Sequence, residues 1–202
     1  MSGPDGAGRR PSGMPTSDID PWAPAVLADP YPAFAALREA GPAVWLEQHQ
    51  LVALPRYEEV RAALTRWHDF TSGEGISASP MTNAAMPPNI ISTDPPEHDV
   101  FRQPVATQLS QAALAADIAE IEATAGRFAD AVAAAGRFDG VADLARPYSL
   151  TVVSDLVGIP EGERDAFPHL AEVAFNVMGA TNERTGPGLQ AFGEIVERCM
   201  RI

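Results

Sequence analysis

From Pro95 onward, apolar residues recur every three or four positions, and that period restricts this half of the chain to helices. The helices are expected over 95 to about 110, 114–135, 142–157, 161–178 and 189–202. Gly136, Gly158-Ile159-Pro160 and Gly179 punctuate them, and 137–141 reads as a short strand. The first half is built differently. Asp29-Pro30-Tyr31-Pro32 opens a short helix with Asp29 as its cap, and Gly41-Pro42 ends it. Two strands, 43–46 and 51–54, flank His49-Gln50 as a hairpin. A helix over 57–67 places Val60, Leu64 and Trp67 on one face. Residues 71–93 have no period and are rich in Gly, Ser, Pro and Asn, which marks a long loop of functional type. Residues 1–17 are largely Gly, Pro and Ser and are expected to be a disordered leader, with the ordered part spanning 18–202. The fold class that follows is mainly α with a small β-sheet.

Charge and cysteine content narrow the function. The net charge of −13 repels phosphate backbones and excludes a nucleic-acid partner. One cysteine, Cys199, allows no internal disulfide and suits a reducing compartment. No apolar run approaches the ~18 residues of a membrane span, so no membrane partner and a cytoplasmic location are expected. His and Cys occur at no metal-ligand spacing, which leaves zinc unsupported.

The segment Ser92-Thr93-Asp94-Pro95-Pro96-Glu97-His98-Asp99-Val100-Phe101-Arg102 carries the chemistry. Asp94 and Glu97 have the spacing of a helix-starting capping box, with both prolines where a missing amide costs nothing. His98 and Arg102 stand one helical turn apart and project from one face, a natural clamp for carboxylate oxygens.

Asp-Pro-Pro-Glu-His-x-x-x-Arg resembles the start of the helix that lies against the haem in soluble bacterial cytochromes P450. Asp29-Pro30-Tyr31-Pro32, the hairpin over 43–54, Arg56-Tyr57-Glu58-Glu59-Val60 and Leu156-Val157-Gly158-Ile159-Pro160 resemble further parts of that fold in the same order. The resemblance implies a truncated, N-terminal portion of the cytochrome P450 fold, running from about residue 20 onward. It implies a haem cofactor (heme b), a small-molecule substrate, a ferredoxin-type electron donor, and a monooxygenase reaction. His98 and Arg102 are implied as donors to a haem propionate, and Ile90, Ile91, Phe175 and Met178 as substrate-pocket residues. The family's axial-cysteine loop has no counterpart here, because Cys199 sits in an ordinary helical setting, Glu197-Arg198-Cys199-Met200-Arg201. Glu58–Arg61 and Glu161–Arg164 match the family's Glu-x-x-Arg pattern by spacing alone, and no catalytic residue is assigned. Val100 replaces an Arg that many members carry, and Pro104 should bend the haem-side helix. A chain without the thiolate is expected to be inactive alone. The rival expectation is a non-enzymatic helical small-molecule-binding protein of the same fold.

Substrate chemistry has two conflicting cues. Residues 176–183 resemble a subgroup that oxidises small aromatic acids. Yet no Lys or Arg lies between Trp67 and Arg102, so the loop favours a neutral, apolar or hydroxylated molecule.

Overall fold

The structure is a computed structural model and describes residues 10–201. It divides into two compact units, one running to Asp99 with Val177–Thr185, the other made of Val100–Asn176 and the chain from Gly186.

The first unit is organised on a three-stranded sheet. Strand β1, Thr16–Ser17, runs parallel to β2, Val44–Leu46, which pairs antiparallel with β3, Leu51–Ala53. The hairpin register sets Trp45 opposite Val52, and Gln50 takes a left-handed φ of 53° at the turn. β1 falls within the segment expected as a leader, 1–17. Residues 1–9 of that leader lie outside the described residues, and the rest is tied down because Trp45 N–H donates to the Pro15 carbonyl at 2.8 Å. Backbone groups at the sheet edge, not side-chain burial, hold this polar segment.

Helix α1, Pro24–Ala28, and helix α2, Tyr31–Ala40, follow β1. Pro30, not Asp29, is the residue before α2, and Asp29 terminates α1 instead of capping α2. Leu37 of α2 packs with Val44 and Leu46 to form the unit's core, joined by Ile19, Trp22 and Ala53. Helix α3, Tyr57–Thr65, ends before Trp67, and its apolar face is open, with Leu64 80% exposed. The expected 71–93 loop holds one short helix, α4, Pro80–Ala85. Pro80 suits the first turn, and Ser79 caps it by accepting from Thr82 N–H at 3.3 Å.

Helix α5 spans Glu97–Gln108 with Pro104 inside it, so Pro95 and Pro96 precede the helix. In the second unit, a short helix α6, Gln111–Leu114, capped by Ser110, precedes the expected helix over 114–135, which forms as α7, Ile118–Ala135. The expected strand over 137–141 does not form. Asp139 Oδ1 accepts from the amides of Val141 and Ala142 at 2.9 and 2.8 Å and starts a π-helical turn, Gly140–Ala145, that runs into α8, Arg146–Val157. A carboxylate that captures consecutive amides favours a helical start over a strand. Gly158 closes α8 in the left-handed conformation. The expected helix over 161–178 is three pieces: a 3₁₀ turn, Glu161–Ala166, helix α9, Phe167–Ala174, and a second 3₁₀ turn, Phe175–Met178. Pro168 falls in the first turn of α9, where its missing N–H costs nothing, and so resets the helix there. Helix α10, Thr185–Cys199, begins earlier than the expected 189. Leu170 and Ala174 of α9 pack on Ala191 of α10, with Val173, Phe192 and Ile195 around them.

Candidate functional site

The start of α5 is held in place by Asp94, though not as a cap. Its backbone carbonyl accepts from His98 N–H at 3.0 Å, which begins the helical bonding. Its carboxylate turns away from the helix toward 71–73. Oδ1 accepts from Ser72 N–H at 3.0 Å, and Oδ2 accepts from Gly73 N–H at 2.8 Å and from the Thr71 hydroxyl. The expected capping box is therefore not made: Glu97 is exposed and the Asp94 side chain serves another segment. The Thr71 hydroxyl, and after it the amides of Ser72 and Gly73, hold the Asp94 carboxyl below its usual range.

His98 lies in the first turn of α5, half-buried, with Nδ1 3.3 Å from Asp99 Oδ1. Arg102 lies one turn further along the same helix and is exposed. Among the described residues, Arg102 makes no ion pair and His98 Nε2 has no hydrogen-bond partner. A guanidinium fork without a partner suits carboxylate oxygens, and so does His98 Nε2 when it carries the proton, so the side-chain chemistry fits a haem propionate. Cys199 is exposed at the end of α10. Among the described residues, no cluster of His, Cys, Asp and Glu is arranged for a metal ion.

The four residues expected at a substrate pocket are placed differently. Ile90 is half-buried and Ile91 is 58% exposed, both in the stretch between α4 and α5. Met178 is half-buried in the first unit, beside fully covered Val177. Phe175, in the second unit, is 76% exposed. Sequence reasoning missed how the segment containing Ile76 and Met81 is anchored. Ser77 hydroxyl donates to the Val177 carbonyl at 2.6 Å, Ala78 N–H donates to the Met178 carbonyl at 3.1 Å, and Ser79 Oγ lies 2.8 Å from Thr181 Oγ1. The signal was present as the hydroxyl residues Ser77 and Ser79, but nothing local names their partners about a hundred residues away.

Each unit carries shallow clefts. In the second, one of about 260 Å³ is lined by Leu109, Leu114, Ile121, Val152 and Leu156, with Glu120 and Asp155 at its polar side. In the first, one of about 100 Å³ lies at Gly73, Ile76, Asn83 and Met86, and an apolar one of about 270 Å³ lies at Phe34, Leu37 and Leu54. Among the described residues, no helix is long and apolar enough to cross a membrane.

No family model matches the chain. Individual proteins do. The chain is 34% identical over 201 residues to the cytochrome P450 CYP199A2 of Rhodopseudomonas palustris, covering 94% of this chain and 48% of that protein. It is 32% identical over 160 residues to the cytochrome P450 monooxygenase PikC of Streptomyces venezuelae, covering 76% of this chain and 38% of that protein. Among solved structures, CalO2 aligns with a TM-score of 0.65 at 26% identity, over 91% of this chain and 48% of that one. The cytochrome P450 CYP109Q5 of Chondromyces apiculatus aligns with a TM-score of 0.59 at 23% identity, over 91% of this chain and 47% of that one, and supports the fold alone. The chain thus spans about half the length, or less, of the curated relatives it matches. On these sequence and structure matches, the chain belongs to the cytochrome P450 superfamily, as an N-terminal part of that fold.

Proposed function

We propose that this chain is part of a haem-thiolate monooxygenase that inserts one oxygen atom from O2 into a small organic substrate, and that it is inactive by itself. When bound, the haem supplies oxygen activation, fed by electrons from a ferredoxin-type partner. The chain's own residues hold and surround the group. His98 and Arg102 on α5 would hold a haem propionate through charge-assisted or polar hydrogen bonds. Ile90, Ile91, Met178 and Phe175 would supply apolar surface for substrate. The absence of Lys and Arg between Trp67 and Arg102 favours a neutral substrate, because a buried carboxylate without a counter-charge is costly. A cytoplasmic location accords with the single cysteine.

The observation that supports this reading is His98 and Arg102 one turn apart on α5, with His98 Nε2 and the Arg102 guanidinium unpaired among the described residues. The test is haem retention in a haem-loaded form carrying this sequence. Arg102→Ala and His98→Ala should each weaken retention, Arg102→Ala by about ten-fold or more, as the loss of a hydrogen bond to a charged group implies. Unchanged haem content and redox potential in both variants overturn the assignment. Matched acid and ester ligands in a spectral titration test the substrate class. Tighter binding of the acids at raised salt refutes a neutral substrate.

A further inference from the structure

We propose that Asp94 is a positioning residue that closes the base of the 71–93 loop, fastening its first residues to the start of α5 through one carboxylate. The consequence for ligand binding rests on the proposed function above, but the tie itself does not.

The geometry points in one direction. Asp94 faces two ways: its carbonyl accepts from His98 N–H at 3.0 Å, and its carboxylate takes the amides of Ser72 and Gly73 at 3.0 and 2.8 Å. The Thr71 hydroxyl adds a third donor on Oδ2. Thr71 also accepts from Gly73 N–H at 3.2 Å, so the turn folds around the carboxylate. Three donors from consecutive residues converge on one anion, so protein groups take the place of most of the water a surface carboxylate would bind. Residue 73 is under a separate constraint. A Cβ there would lie 2.9 Å from Asp94 Oδ2, so a larger residue would push the carboxylate back from the turn. The loop between the tied residues carries Ile76, Met81, Ile90 and Ile91; its middle is held separately by Ser77, Ala78 and Ser79 on 177–181, and the Asp94 carboxylate joins its first residues to its last. His98 follows the tied residue by one helical turn, so releasing the carboxylate frees both the loop base and the helix start that bears His98.

The experiment is amide hydrogen exchange on the full 202-residue chain, with no haem or activity in the readout. The amides of Ser72 and Gly73 should be protected in the wild type. Asp94→Asn offers only one acceptor oxygen and should reduce their protection by about ten-fold or more, with the Val44–Leu46 strand unchanged. Thr71→Val keeps the shape of Thr71 and removes its donor, and Thr71→Ser restores the donor. Under the proposal Thr71→Val loses protection at Gly73 and Thr71→Ser keeps it, whereas a packing role would give the reverse. Exchange of Ser72 and Gly73 at the free-chain rate in the wild type overturns the proposal. So does wild-type protection in Asp94→Asn, or equal protection in the two Thr71 variants. A haem-retention result that goes against His98 and Arg102 leaves this measurement untouched.

Discussion

The hydroxyls of Ser79 and Thr181 lie 2.8 Å apart although 102 positions separate them in the chain. Ser79 is fully buried and also caps α4, while Thr181 is exposed. Ser79→Ala removes the cap, while exposed Thr181 turns to water, so the change should destabilise by about 1 kcal/mol. Thr181→Val takes away the partner of the fully buried Ser79 hydroxyl, which water cannot reach, and should itself cost about 1–3 kcal/mol. Chemical denaturation of the two single variants and the double variant measures both. Additive effects would show that the two hydroxyls are not coupled.

Gly179 sits against Trp22. A Cβ at 179 would lie 2.8 Å from Trp22 Cδ1, and an indole packed against the sheet core cannot swing aside freely. Gly179→Ala should lower stability by about 1–3 kcal/mol. Pairing it with Trp22→Leu, which makes room, should recover part of the loss, as read by the shift in denaturation midpoint.

Asp139 gives a pH signature. The amides of Ala142 and then Val141 hold its carboxyl below the ordinary aspartate value of 3.8. A lowered folded value means that the unfolded chain binds the proton more readily. The stabilisation is thus fully present above 3.8 and fades as pH falls through the lower folded value. The gap in melting temperature between wild type and Asp139→Ala should be constant at neutral pH and narrow only in that acid range. A gap that is flat down to the acid limit would show that these bonds contribute nothing.

Cys199 is exposed, and its neighbour Arg198 is engaged by Glu194 at 2.7 Å and by Glu163. A thiolate that ligates haem iron needs an enclosed setting, which this helix end does not supply. The 202-residue chain should give no thiolate-type carbon-monoxide difference band, and Cys199→Ser should leave its spectrum unchanged. Appearance of that band in the wild type and its loss in the variant would assign Cys199 as a ligand.

Much of the fold was legible because it is local. Period-3.6 apolar spacing in 118–135 and 146–157, and the alternation around His49-Gln50, do not depend on distant partners. The misses fall where side chains competed with the main chain for hydrogen bonds. Asp139 turned an expected strand into a helical start, and Pro168 divided an expected single helix. His98 and Arg102 were legible as a one-turn pair because helix geometry alone sets their spacing.

By itself, then, the sequence determined a mainly helical chain with one hairpin, a helix after Pro96 bearing His98 and Arg102, and membership in its superfamily. Only the tertiary structure decided that Asp94 binds 71–73 instead of capping α5, that β1 joins the sheet beside β2, and that Ser77 and Ser79 reach 177–181. The physical reason is the range of the forces involved. Helix and hairpin period follow from backbone geometry within a few residues, but a carboxylate, a strand edge or a hydroxyl satisfies itself with whichever donor or acceptor the folded chain brings within about 3 Å.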